Sequence, residues 1–162
     1  MRIGIVSDTH NHRPNVARIV ELFNGASVDR VIHTGDITQA RTLEIFAGLD
    51  APLLGVFGNN DLGELPSLAA TASALGFHFV DPPLRLVWHG RRILVVHDPL
   101  DLEAEALDEI DLVLHGHTHR HRLERDGGRL TFNPGECAGH MAGLNAVGIV
   151  DLDRLAAELL HF

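Results

Sequence analysis

Five short blocks carry the side chains that could do chemistry: Asp8-Thr9-His10, Gly35-Asp36, Gly58-Asn59-Asn60-Asp61, His97, and Gly116-His117-Thr118-His119. All are oxygen or imidazole donors, and most stand where a hydrophobic run ends. Mixed carboxylate, amide and imidazole ligands suit Mn²⁺, Ni²⁺, Fe or Zn²⁺, and no thiolate points to a softer metal. Hydrolysis of a phosphate ester needs a nucleophile at neutral pH and a sink for charge on the phosphoryl oxygens. Two divalent ions about 3.5–4 Å apart supply both, because a water shared between them gives up a proton to become a metal-bound hydroxide.

The chemistry suggests a division of labour. Two cations that close need a bridging carboxylate, for which Asp36 is the choice. Asp8 and His10 leave one strand end together and would face one ion, completed by His119. Asn59, His97 and His117 would hold the other. Two-residue spacing in extended chain would put Asp8 and His10 on one side, and likewise His117 and His119. Gly35, Gly58 and Gly116 would let the backbone turn sharply or approach the ions. Two ions (+4) and two carboxylates (−2) leave a centre near +2, which would attract a phosphate anion.

Singly, these signals are ordinary. An Asp-x-His is usually structural, Gly-Asn-Asn-Asp reads as a turn, and paired histidines are common on surfaces. Their order and placement at strand ends carry the reading. Among the other histidines, His33 and His115 read as packing, His12 and His121 as polar loop residues, with His12 a candidate substrate contact. His78, His89, His140 and His161 read as surface or packing positions. Cys137 has no obvious partner base and reads as a small buried residue.

The elements that must position these blocks alternate at first. Residues 2–6, 31–33 and 53–57 read as strands. Val16, Ile19, Val20 and Phe23 have helical spacing, with Gly25 as a stop signal. Thr38 could cap a helix burying Leu43, Phe46 and Leu49, and Leu65, Leu68, Ala72 and Leu75 suggest another, closed by Gly76. Later come strands at 84–88 and 91–96 about His89-Gly90, a short helix at 102–107 within a solvated acidic face at 101–111, and a strand at 112–115. Strands at 122–125 and 129–132 flank Asp126-Gly127-Gly128, and another strand spans 146–152. Residues 154–162 favour helix by propensity. The pattern is an α/β fold with two packed sheets and outer helices, whose sites lie at carboxyl ends of strands.

The 162 residues suggest a single domain over 1–162, and 45% hydrophobic content fits a globular chain. The net charge of −9 argues against nucleic acid or an anionic membrane as a partner. No run of about 18 apolar residues is present, and the sequence reads straight into the first strand, with no separate leader expected. The lone cysteine suits a reducing cytoplasm. A homodimer through apolar edges is compatible with the sequence.

Together the blocks resemble the calcineurin-like metallophosphoesterase superfamily, whose pattern is D-x-H, G-D, G-N-H-D, a lone H and G-H-x-H. Asn133-Pro134-Gly135 extends the match, and the length is similar to that of compact bacterial and archaeal phosphodiesterases. The resemblance implies a four-layer αββα sandwich, two mixed β-sheets flanked by helices, and a dinuclear centre held by Asp8, His10, Asp36, Asn59, His97, His117 and His119. It implies a final strand at 154–162. It also exposes a departure: Asn60 stands where the family usually has His. An amide can hold a phosphoryl oxygen but cannot deliver a proton, and Asp61, which would orient that His, is left to hold Asn60 or to support the fold. The expected function is metal-dependent hydrolysis of small phosphodiesters, with Mn²⁺ first among the metals. The alternatives are a phosphomonoesterase, a nuclease, or a non-catalytic protein-binding scaffold.

Overall fold

The computed structural model describes residues 1–141 and 143–162. Near-continuous apolar runs make the interior strands, as expected for strands buried on both faces. In the first sheet the order is β11-β10-β1-β2-β3-β4. Strands β1 (Arg2–Val6), β2 (Arg30–His33), β3 (Leu53–Val56) and β4 (His78–Val80) run parallel. Strands β10 (Ala146–Asp151) and β11 (Ala156–His161) add antiparallel on the other side. The second sheet has the order β5-β6-β7-β9-β8, formed by Leu84–Trp88, Arg91–Val95, Leu112–Leu114, Arg129–Asn133 and Arg122–Asp126. Its β6, β7 and β9 are parallel.

Two apolar layers hold the sheets. Ile3, Ile5, Ile32 and Val150 of the first sheet pack against Ile93, Leu112 and Phe132 of the second. The other face of the first sheet is covered by helices α1 (Arg13–Ala26), α2 (Ala40–Leu43) and α3 (Leu65–Ala74), which bury Phe23, Leu43 and Leu68. Outside the second sheet, Leu94, Val96 and Val113 lie under Leu102, Leu107 and Ile110. The fold is thus two mixed sheets flanked by helical segments. Among the described residues, no helix is long and apolar enough to cross a membrane.

Several local expectations change. Helix α1 runs through Gly25 and ends at left-handed Ser27. The segment after Thr38 is one α-helical turn continued as a 3-10 turn (Glu44–Gly48), and its N-cap is Gln39 without a side-chain bond. Thr38 does not cap it: its φ of 71° lies outside the extended region an N-cap takes, in a loop where its backbone N–H donates to Asp61 Oδ1 at 2.7 Å. Only a 3-10 turn (Pro99–Ala104) forms in place of the acidic helix. Glu105 and Glu109 instead pair with Arg85 and Arg92, and Asp111 accepts the Arg92 N–H at 2.8 Å, which pins this stretch along the sheet. Strand β4 was not anticipated. Residues 156–161 form the final strand that the family resemblance implies, against their helical composition, because all six pair with β10; tertiary pairing overrides propensity.

Candidate metal centre

The parallel strands of both sheets deliver their carboxyl ends to one edge. Asp8 and His10 follow β1, Asp36 follows β2, and Asn59 follows β3 on a 3-10 turn (Asn59–Glu64). His97 follows β6, and His117 and His119 follow β7. All seven side chains meet there. Asp8, His10 and His119 present donor atoms within 4.8 Å of one another, as do Asp8, Asp36 and His97.

The donors sort into two groups. In one, His10 Nε2 is 3.3 Å from His119 Nε2, which is 3.5 Å from Asp8 Oδ1. In the other, Asn59 Oδ1 is 2.9 Å from His97 Nε2 and 3.0 Å from His117 Nδ1, and the two ring nitrogens are 3.3 Å apart. Asp36 stands between: Oδ1 lies 3.4 Å from His97 Nε2 and Oδ2 3.7 Å from His10 Nε2. Donors bound to one ion at about 2.0–2.1 Å must sit about 3.0–3.4 Å apart, so the spacing of each group fits a cation.

In the metal-free site, burial and the donors' mutual contacts set the protonation of each group, and they favour the ligating form at Asp36 and His10 but the protonated form at Asp8 and His97. His97 Nδ1 donates to the Thr34 carbonyl at 2.8 Å, which leaves Nε2 facing the group. Burial opposes charge on His97, but its bond to Asp36 outweighs this and lifts its pKa to about 8. Burial also opposes ionisation of Asp36, yet the bonds from His97 and Asn60 hold its carboxylate well below the usual range. Burial raises Asp8, partly offset by the Ser7 hydroxyl that donates to it. Burial lowers His10, favouring the neutral imidazole a metal requires.

The two-residue spacing works by a route other than extended chain. Asp8, His10, Asp36, His117 and His119 all have positive φ, between 44° and 67°. Non-glycine residues in this region are strained by about 1–2 kcal/mol each. Strain concentrated on candidate ligands marks loops held in place for function. The glycines press against the site's own residues. A Cβ on Gly116 would lie 2.0 Å from Ser7 Oγ and 2.8 Å from Asp8 Oδ2, and one on Gly58 would lie 2.2 Å from Asp36 Oδ1.

Buried polar side chains hold the loops, and sequence reasoning missed most of them. Asp61 accepts backbone N–H groups from Asp36, Ile37, Thr38 and Gly58 at 2.7–3.0 Å, so it fixes backbone rather than Asn60. His33, read from sequence as packing, accepts the Gly35 N–H at Nδ1, and its Nε2–H therefore donates to Thr9 Oγ1 at 3.1 Å. Asn133 donates to the Gly116 carbonyl at 3.1 Å. Of His33 and Asn133, only Asn133 carried a signal, through the Asn133-Pro134-Gly135 turn that extends the family pattern.

Asn60 is exposed, and its side chain reaches the Asp36 carboxylate. Its Nδ2 donates to Asp36 Oδ2 at 2.7 Å and its N–H to Oδ1 at 2.9 Å. His12 caps α1, accepting the Asn15 N–H at 3.3 Å, and belongs to neither donor group. His140, read as a surface or packing residue, is exposed and stacks on His119 with ring centroids 5.5 Å apart. A groove of about 280 Å³ opens beside His97 and His117, walled by Phe57, Leu62, Pro82 and Asp98. A larger hollow of about 750 Å³ lies by Arg85, Arg92 and Ile110, away from these donors.

Comparisons with known proteins bear on the family of the chain. Residues 1–155 match a family model for the calcineurin-like phosphoesterase superfamily domain. The chain is 32% identical over 158 residues to phosphodiesterase MJ0936 of Methanocaldococcus jannaschii, covering 95% of both chains. It is 25% identical over 177 residues to phosphodiesterase YfcE of Escherichia coli K12, covering 99% of this chain and 93% of the other. The solved structure of an archaeal phosphodiesterase superposes with a TM-score of 0.90 at 30% identity, covering all of both chains. The chain belongs to the calcineurin-like phosphoesterase superfamily.

Proposed function

We propose that the chain hydrolyses small phosphodiesters with a pair of divalent cations, Mn²⁺ foremost. The observation that carries this reading is Asp36, whose two oxygens face two separate imidazole groups. When bound, the ion pair would supply a nucleophile from water and offset charge on the phosphoryl oxygens. Asp8, His10 and His119 would hold one ion and Asn59, His97 and His117 the other, with Asp36 shared. Asn60 keeps the Asp36 carboxylate in register, and Asp61 fixes the backbone beneath it.

No side chain at position 60 can protonate a leaving group, so that proton comes from solvent. Loss of a general acid typically lowers rate by about 10²–10⁴-fold, and the loss is smallest for good leaving groups. The groove beside His97 and His117 suits a small leaving group, and relatives named phosphodiesterases support a diester over a monoester. The net charge of −9 disfavours nucleic acid as substrate. A single buried free thiol suits the cytoplasm.

The test is hydrolysis of bis(p-nitrophenyl) phosphate and p-nitrophenyl phosphate with Mn²⁺, Ni²⁺ or Zn²⁺, before and after chelation. The expected result is metal-dependent turnover favouring the diester. Turnover that survives complete metal removal, or none with any metal, would overturn the proposal.

A further inference from the structure

Glu136 follows the Asn133-Pro134-Gly135 turn beyond β9, and the metal reading above gives it no task. It is 1% exposed. Its Oε1 accepts the Met141 N–H at 2.7 Å, whereas Oε2 is buried without a hydrogen-bond partner. A carboxyl oxygen taken from water and left unpaired costs free energy, on the order of 1–3 kcal/mol or more, so its position calls for a reason. Among the described residues, the charged or titratable atom nearest to it is His119 Nδ1, at 3.5 Å. The opposite nitrogen of the same ring, Nε2, faces Asp8 Oδ1 and His10 Nε2.

Two other imidazoles, His97 and His117, repeat this pattern. His97 turns Nε2 to the site and gives Nδ1 to the Thr34 carbonyl. His117 turns Nδ1 to the site, with Nε2 3.5 Å from Asp98 Oδ2. A neutral imidazole that gives one nitrogen to a metal carries its proton on the other, and an acceptor behind that proton fixes both tautomer and ring direction.

We propose that Glu136 is the positioning residue for His119, accepting its Nδ1 proton so that Nε2 is presented to the ion shared with Asp8 and His10. This rests on the dinuclear reading above. Gly135 has a φ of 99°, which a side chain rarely adopts, and this turn directs Glu136 inward beneath the His119 ring. His140 closes the other side of the ring. The same three residues, His119, Glu136 and His140, also have the spacing of a separate metal group. The positioning role is favoured because a ring with Nε2 already committed to a cation binds a second at Nδ1 only by losing its remaining proton.

The experiment is a titration of purified, metal-stripped protein with Mn²⁺, with free ion followed by electron paramagnetic resonance, for the unaltered chain, Glu136→Gln and Glu136→Ala. Thermal unfolding of each metal-free protein is measured alongside. Losing such an acceptor typically weakens metal binding by about 10–100-fold. Glu136→Gln should therefore weaken one of two Mn²⁺ steps by about that factor, since an amide N–H facing Nδ1 would favour the wrong tautomer. The other step should hold, and the metal-free melting temperature should be unchanged or raised. The Nδ1–H signal of His119 in Zn²⁺-loaded protein should be present in the parent and lost or shifted in both variants. Two unchanged Mn²⁺ steps in the variants would overturn the positioning role while leaving the dinuclear reading intact. A third Mn²⁺ in the parent that the variants lose would overturn it in favour of a separate metal site. A parent that binds no Mn²⁺ would overturn both readings.

Discussion

The side-chain amide of Asn60 donates to Asp36 Oδ2 at 2.7 Å while its backbone N–H donates to Oδ1 at 2.9 Å, so one residue grips both oxygens of the carboxylate between the two donor groups. A hydrogen bond to a charged group contributes about 1.5–3 kcal/mol. Asn60→Ala should therefore weaken Mn²⁺ binding by about tenfold or more at both steps, since 1.4 kcal/mol is a factor of ten and Asp36 serves both groups. Metal titration checks this; unchanged affinity at both steps would remove Asn60 from that role.

Asn60→His restores a side chain able to move a proton. The expected outcome is a higher rate on esters with poor leaving groups, and a smaller gain on nitrophenyl esters. The check is the ratio of alkyl to nitrophenyl diester rates in parent and variant. A ratio that stays level or falls would mean that proton delivery at position 60 does not limit the reaction.

Gly116→Ala is expected to damage the site from within the backbone. Its Cβ would meet Ser7 Oγ at 2.0 Å and the Asp8 carboxylate at 2.8 Å. Overpacking of this kind destabilises by about 1–3 kcal/mol, and here the displaced atoms include a proposed ligand. Thermal unfolding should show the loss in metal-free protein, with reduced metal content after loading. Full stability and full metal content would show that the loop yields freely.

Acid should destabilise the metal-free protein partly through His33. Burial holds its pKa at about 3 in the folded state, against an ordinary value of 6.5. Between those values the unfolded chain holds the extra proton, so stability is retained above pH 6.5 and falls as pH drops through the interval. One such group contributes a slope of at most about 1.4 kcal/mol per pH unit. Denaturant unfolding between neutral and mildly acid pH should show a shallower slope for His33→Gln than for the parent. Equal slopes would contradict a neutral buried His33.

Cys137 is fully buried, its thiol donates to the Ala146 carbonyl at 3.0 Å, and burial pushes its pKa up to about 12. It should resist alkylating reagents in the native protein and react at once in denaturant. Fast native labelling would show that the segment around it opens.

The sequence carried the donor blocks because each follows a run of apolar β-formers, and a strand end is visible where Val6, Val96 or Leu114 gives way to polar residues. It did not carry the backbone conformation. Nothing in Asp-Thr-His announces two left-handed residues; neighbouring loops impose them, through bonds such as Asp8 N–H to the Gly35 carbonyl and His10 N–H to the Asp36 carbonyl. The helix expected after Thr38 starts later for the same reason, since the backbone at Thr38 is held by Asp61 from 23 positions away. Propensity favoured helix over residues 156–161, and only pairing with β10 and the resemblance to a known family pointed to strand. Strand β4 had a local signal in Phe77, Phe79 and Val80 that a reading for longer alternation passes over. Supporting residues such as His33 and Glu136 were illegible because their partners lie 24 and 17 positions away.

The central claim is that Asp36 joins two cation sites. Elemental analysis of protein loaded with Mn²⁺ and freed of excess metal tests it most directly, comparing the parent with Asp36→Ala. The account expects about two ions per chain in the parent and a loss of at least one in the variant. A parent with none, or a variant that keeps its full complement, would contradict it.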